Sequence, residues 1–437
     1  MSGPPRLLIL TSPTPDALER ASDALADQLD TLEDGAAAPA ADLPAAAAPP
    51  GTVRRVLVAT SAADAARWLR RRDPRRVFTA GPGARASRVF LFSGVGDQYP
   101  GLGADLYRCV PAFRRELDRC LRLLATDHDL DLRPALFPPE ADTTAVDARP
   151  DLAALFERRE KPQEIQRTVV AQPLLFAMQY ALSRALSDLG AEPTALAGYS
   201  VGEYVAACVA GIFSLEDALH LVASRARLVD ELPHGAMLAV TAGADEVTPH
   251  LAPEVSLAAL NSAEQTVLSG PVEAVEESAK ALTAQGVACR RLATTHAFHS
   301  TMTRPLTEPL EALIATMPIV APRLPVLSNA TGTWLRADEA TDPGYWARQL
   351  SRTIRFADQL AEVWRLPDPM LVELGPGQAL SRLALAHPGR PADAAALVVQ
   401  TMPGQFESRG ESELLLGAAG RLWAAGVEID WSAVRWE

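Results

Sequence analysis

The chain has 437 residues, more than one compact core usually holds, so two or three folding units are expected. Its 41 Lys and Arg against 54 Asp and Glu leave a formal charge of −13, which excludes a general nucleic-acid binder and leaves an acidic partner only a local basic patch to dock on. With 48% apolar residues, no apolar stretch long enough to span a bilayer and no basic-then-apolar leader, the composition is that of a cytoplasmic enzyme.

The first unit runs over residues 1–87. Leu7 to Leu10 reads as a buried strand and Pro15 to Leu29 as an amphipathic helix. Gly35 to Gly51 is almost entirely Ala, Pro and Gly, has little to bury and is expected to be a loop. A strand at Val56 to Val58 and a helix from Ala62 to Arg70 complete a small α/β unit. The arginines at Arg70 to Arg72, Arg75 and Arg76 read as solvated helix ends rather than a docking patch.

The second unit opens with the strand Val89 to Phe92. The helix Gln172 to Leu189, a strand at Thr194 to Ala197 and a helix from Val201 to Ala210 follow. Strands alternating with helices imply a mostly parallel sheet covered on both faces. Residues 234–294 read as an insertion in the order β-α-β-β-α-β, the ferredoxin-like pattern. The larger unit, residues 88–233 and 295–437, then resumes with strands at Leu324 to Leu327 and Met370 to Glu373 and a helix from Glu411 to Ala425. Cys109, Cys120, Cys208 and Cys289 form no Cys-x-x-Cys pair and sit near no histidine at ligand spacing, so neither a metal site nor a disulfide framework is expected. Cys208 reads as a buried small hydrophobe.

Between the strand ending at Ala197 and the helix starting at Val201 stands Gly198-Tyr199-Ser200-Val201-Gly202. A sharp strand-to-helix turn lifts a serine out of the sheet, as in hydrolase-like α/β folds, and the glycines let neighbouring backbone pass close by. The following helix turns its free N–H groups toward a reacting carbonyl. Ser200 is therefore a candidate nucleophile; the plainer reading is a helix N-cap. A serine needs a base. Among the 7 histidines, His299 leaves the inserted unit in Thr295-His296-Ala297-Phe298-His299-Ser300, at a junction where a cleft wall is expected.

Five runs in order carry a resemblance: Phe92-Ser93-Gly94-Val95-Gly96-Asp97-Gln98, Ala171-Gln172-Pro173, Gly198 to Glu203, Ala297-Phe298-His299-Ser300 and Glu373-Leu374-Gly375-Pro376-Gly377. Together they resemble the malonyl-CoA:acyl-carrier-protein transacylase family, and within it the acyltransferase domains of polyketide synthases. Leu7 to Ser87 is similar to the linker joining a ketosynthase to such a domain, apart from its Ala/Pro tract. The chain is accordingly either part of a larger synthase or a free-standing acyltransferase.

The resemblance implies a Ser200–His299 dyad that moves an acyl group from coenzyme A to the phosphopantetheine thiol of an acyl carrier protein, with no resident cofactor or metal. It implies an oxyanion hole from the backbone N–H groups of Val95 and Val201, and a backbone carbonyl at Gln349 that orients His299. Val95 stands where the family usually has glutamine, and Tyr199 where it usually has histidine, a position that in the family touches the substrate pocket, so the resemblance makes Tyr199 a substrate-binding residue. Arg225 matches the arginine that pairs with a substrate carboxylate, and Gln172 a pocket glutamine; their plainer readings are a surface arginine and a helix cap. Phe298 would fill the space of a C2 methyl, so with His296 it implies malonyl over methylmalonyl, a difference of roughly 1–3 kcal/mol. A thioester hydrolase and a non-catalytic docking module are the competing readings.

Overall fold

The computed structural model describes residues 5–32, 36, 51–81, 83, 87–137 and 164–433. Apart from Ala36 and Gly51, the Ala/Pro/Gly tract lies outside the described residues. The first sheet is β1 (Arg6–Ser12), β2 (Val53–Ala59) and β3 (Val77–Ala80), paired antiparallel in that order. Helices Pro15–Asp30 and Ala62–Arg71 accompany it, each started by a side-chain cap from Thr14 and Ser61. The short β3 was not foreseen. Its four residues, two buried and two not, show no period long enough to read.

The second sheet is built around β4 (Ser87–Phe92) and β5 (Ala195–Gly198). The third sheet intervenes in the chain with β6 (Ala236–Val240), β7 (Ser256–Ser262), β8 (Gln265–Gly270) and β9 (Cys289–Arg291), paired antiparallel in the order β7-β8-β6-β9. β10 (Val326–Leu327), β11 (Pro369–Leu374) and β12 (Val398–Gln400) then complete the second sheet, all parallel, in the order β10-β5-β4-β11-β12. A parallel sheet covered on both faces needs strands that are apolar throughout. Val89, Phe90, Leu91 and Phe92 of β4 are each 0% exposed, and all six residues of β11 are buried. β12, with three residues, was also missed, for the same reason as β3.

The first sheet docks on the C-terminal helix Glu411–Ala424. Leu415, Ala418 and Trp423 share one core with Leu7, Val56, Val58 and Phe78. Gly420 permits this approach, since a Cβ there would lie 2.7 Å from Leu7 Cδ1. Arg54 stacks over the Trp423 ring at 5.2 Å and donates to its carbonyl at 2.8 Å. The arginine run lies at the surface, with Arg70, Arg71 and Arg75 exposed, but part of it is tied into ion pairs. Arg70 pairs with Asp27 (2.8 Å) and Asp30, Arg72 with Glu19 (2.6 Å) and Asp23 (2.7 Å), and Arg76 with Glu413. The tertiary fold brings carboxylates to Arg70, Arg72 and Arg76.

A cavity of about 1000 Å³ lies between this sheet and residues 378–421, lined by none of the expected site residues. Among the described residues no helix is long and apolar enough to cross a membrane, no group of three or more His, Cys, Asp or Glu is placed to hold a metal ion, and Cys208 is buried and unpaired.

Trp423→Ala should cost about 3–5 kcal/mol, as removal of a buried aromatic does. Because Trp423 serves both the main core and the docking of the first sheet, protease nicking within residues 5–81 should rise alongside the loss measured by urea unfolding.

Candidate active site

β4 and β5 lie side by side, and the loops after their carboxyl ends meet, where parallel α/β sheets place their sites. Ser200 stands between β5 and the helix Gly202–Val209 with φ +56°. That left-handed conformation costs a non-glycine residue roughly 1–2 kcal/mol. The flanking glycines are needed for space: a Cβ on Gly198 would lie 2.3 Å from Glu203 N, and one on Gly202 would lie 2.1 Å from the Phe92 carbonyl oxygen.

Hydrogen bonds hold the strained turn. The nearly fully buried Asn329 clamps it from both sides, accepting from the Ser200 N–H at Oδ1 (2.8 Å) and donating from Nδ2 to the Gly198 carbonyl (2.5 Å). Gln349 Nε2 donates to the Ser200 carbonyl at 2.8 Å. Beneath them Glu203 Oε1 accepts from the Asn329 N–H (2.9 Å) and meets the Tyr345 hydroxyl (2.6 Å), which also reaches Ser328 Oγ (2.7 Å). Burial pushes the Glu203 carboxyl up to about 7, although its hydrogen bonds to Tyr345 and Asn329 oppose the shift.

Ser200 Oγ is 2.8 Å from His299 Nε2 and is turned to the histidine rather than to the helix amides. The other ring nitrogen, Nδ1, donates to a carbonyl at 2.9 Å. A carbonyl only accepts, so Nδ1 carries the proton and Nε2 is free to take one from the serine. This orienting carbonyl is that of Arg352, not of Gln349. The Gln349 carbonyl acts on the same ring as a lesser acceptor, while its side chain braces the elbow. The chain turns at the end of the helix Pro343–Gln349 and carries the hydrogen-bonded carbonyl three residues further on. Burial, followed by the positive charge of Arg225, pushes His299 down to about 4, so the imidazole is neutral at ordinary pH.

The Val95 and Val201 N–H groups donate to no acceptor among the described residues. The Ser200 N–H, by contrast, is held by Asn329.

Arg225, on the helix Leu215–Asp230, is 1% exposed. It donates from Nη1 to Gln172 Oε1, and its guanidinium lies 5.3 Å from the centre of the Tyr204 ring. Its Nε and Nη2 are buried without a partner, and among the described residues no carboxylate pairs with it. Burial lowers its pKa. Gln172 is therefore a partner of Arg225 rather than a helix cap. A guanidinium with open donors matches a carboxylate in geometry through two parallel hydrogen bonds.

His296 and Phe298 are both buried and lie beside one another, ring centres 6.4 Å apart, with His296 Nδ1 3.0 Å from Thr295 Oγ1 and its Nε2 unpartnered. The Tyr199 hydroxyl donates to Asn261 Oδ1 on β7 at 3.0 Å. Sequence reasoning missed Asn329, Glu203, Tyr345, Arg352 and Asn261. Ser328 and Asn329 directly follow β10, at the carboxyl end of a parallel strand, and that position was the available signal.

A family model described as the acyl transferase domain matches residues 89–403. Polyketide synthase GfsA of Streptomyces halstedii is 37% identical over 350 residues, 78% of this chain and 4% of the relative. The mycoketide-CoA synthase of Mycobacterium tuberculosis is 34% identical over 363 residues, 80% of this chain and 8% of the relative. The chain thus spans less than a tenth of the length of these relatives. Among solved structures, the acyl transferase domain of SpnD is similar with a TM-score of 0.80 and 33% identity, covering 100% of this chain and 98% of that one. The acyl transferase domain of ZmaA matches with a TM-score of 0.80 and 29% identity over 99% and 97%.

The reactivity of Ser200 toward a fluorophosphonate should fall with the fraction of neutral His299, along an acid limb near pH 4. Arg225→Met removes a charge that opposes protonation of His299, so the limb should move to higher pH. Asn329→Ala should slow the same labelling and, by removing buried hydrogen bonds, destabilise the protein by about 1–3 kcal/mol in urea titrations.

Proposed function

The chain belongs to the acyl transferase domain family and is an acyltransferase; from that premise we propose that it carries a malonyl group from coenzyme A to the phosphopantetheine thiol of an acyl carrier protein, through an ester on Ser200. The observation that carries this reading is Arg225: a fully desolvated cation with open donors, on the same site as the Ser200–His299 pair. A buried charge left unpaired is costly, and a substrate carboxylate relieves that cost with two parallel hydrogen bonds.

The reaction follows from the atoms present. The Ser200 hydroxyl passes its proton to His299 Nε2 as its oxygen attacks the thioester carbonyl. The negative charge that forms on the carbonyl oxygen is received by the Val95 and Val201 N–H groups. The C–S bond breaks, and His299 returns the proton to the departing thiolate. The carrier thiol then repeats the sequence in reverse, giving its proton to His299 and releasing Ser200. A thiolate leaves readily, so a histidine oriented by backbone carbonyls, chiefly that of Arg352, without a carboxylate, suffices.

The buried Phe298, beside His296, supports malonyl over acyl groups substituted at C2. The SpnD acyl transferase domain is described in complex with 2-(pent-4-yn-1-yl)malonyl, so a substituted malonyl such as methylmalonyl is the runner-up. The relatives are large synthases, which supports a carrier protein and a larger synthase as partners, with the first sheet as the linker to a ketosynthase.

Intact-mass spectrometry after mixing with malonyl-, methylmalonyl- and acetyl-CoA tests this. Malonyl addition should dominate and vanish in Ser200→Ala. Prompt release of free acid without a carrier would favour a hydrolase. Arg225→Met should lower malonyl loading about 10- to 100-fold, the loss of a charge-assisted pair of about 1.5–3 kcal/mol. The same change should raise the melting temperature of the substrate-free protein, since an uncompensated buried cation is replaced by an apolar chain of similar volume.

A further inference from the structure

A side-chain hydrogen bond ties the elbow to the third sheet. The Tyr199 hydroxyl donates to Asn261 Oδ1 at 3.0 Å. The Tyr199 ring meets Phe356 edge-on at 5.4 Å between centres, and its Cδ1 is 3.0 Å from where a Cβ on Gly94, next to Val95, would stand. One face of the residue before the nucleophile thus abuts the loop that holds an oxyanion amide, and its tip grips β7.

The grip is built into the strand. Asn261 sits where the β7–β8 register breaks between Leu260 and Ser262. Such bulges re-aim a side chain and occur beside active sites. Away from β8, β7 pairs with the segment at Thr353 and Ile354. Ile354 N donates to the Ala258 carbonyl (2.9 Å), Leu260 N to the Ile354 carbonyl (2.8 Å), and Thr353 Oγ1 to the Leu257 carbonyl (2.7 Å). The residue just before that segment is Arg352, whose carbonyl holds His299 Nδ1 at 2.9 Å. His299 Nε2 faces Ser200 Oγ at 2.8 Å. Ser200 follows Tyr199. The path from Tyr199 through Asn261, β7, Ile354, Arg352 and His299 to Ser200 is a closed circuit of hydrogen bonds and short stretches of backbone.

We infer that the Tyr199–Asn261 hydrogen bond is a latch that sets the third sheet, and through it the orienting carbonyl and His299, against the nucleophile. Tyr199 is then a positioning residue for the reaction. The latch rests on the Ser200–His299 reading given above. A rigid circuit holds donor and acceptor within the few tenths of an ångström that proton transfer requires. Opening it lets the sheet carrying Asn261 and the base shift relative to the elbow.

The test is a double-mutant cycle on the whole chain with Tyr199→Phe, Asn261→Ala and the pair. Two rates are read: fluorophosphonate labelling of Ser200, and malonyl loading by intact mass. Each single variant should label and load about tenfold more slowly, with KM for malonyl-CoA within twofold and an unshifted melting temperature. The pair should be no slower than the slower single variant. Single variants within twofold of the parent, or a pair slowed by the product of the two effects, would overturn the latch. So would a rise in KM alone, which marks a direct substrate contact, or a fall in melting temperature with unchanged rates. A parent protein that does not label at Ser200 refutes the dyad itself. Labelling without malonyl loading refutes the acyl assignment and leaves the latch readable from labelling.

Discussion

Everything at the site depends on keeping one serine in a left-handed backbone conformation. Ser200 has φ +56°, and His299, which faces it, has the same value. Neither residue is glycine, so each conformation must be held from outside. For Ser200 the holders are Asn329 on both sides of the turn and Gln349 on its carbonyl. For His299 they are the bond from its own N–H to the Leu350 carbonyl (2.9 Å) and the turn closed by Ser300 Oγ on the Ala297 carbonyl (2.7 Å). Both sets draw on residues 349–352 or their neighbours, so the short stretch after the helix Pro343–Gln349 serves nucleophile and base together. The strain is useful because it projects Oγ away from the sheet and frees the Val201 amide.

The electrostatics follow from burial more than from ion pairing. Desolvation pushes His299 down and Glu203 up, each to the form that carries no charge at one side of neutrality. Arg225 keeps its charge in the same desolvated surroundings, without a carboxylate among the described residues. Its Nε and Nη2 are buried without a partner, which is the basis of the proposed carboxylate recognition. Surface ion pairs such as Arg70 with Asp27 are exposed to solvent and contribute little by comparison.

Much of the architecture was legible because it rests on long, strongly patterned segments. Val89 to Phe92 is apolar without a break, and a strand buried on both faces demands that. The β-α-β-β-α-β order of the inserted unit could be read from alternation alone, and the observed sheet order β7-β8-β6-β9 follows it. β3 and β12 were not legible, since four and three residues carry no period. The ion pairs of Arg70 and Arg72 were not legible because their partners, Glu19, Asp23, Asp27 and Asp30, lie on a helix about forty or more residues earlier.

The site divides in the same way. The sequence by itself marked a serine in a Gly-x-Ser-x-Gly run at a strand-to-helix turn and a histidine at a junction, and the family resemblance added Arg225 as the candidate for a substrate carboxylate. The serine rests on residue type and local spacing, which one dimension records, whereas the roles of His299 and Arg225 rest on the family resemblance. The tertiary structure decided which carbonyl orients the base, which amide clamps the elbow and what Tyr199 touches. The direction of a backbone carbonyl is independent of the side chain it belongs to, so Arg352 rather than Gln349 could emerge only from the path of the chain. Asn329 and Asn261 act from 129 and 62 residues away, a separation that local propensity does not encode and that the meeting of two sheets supplies.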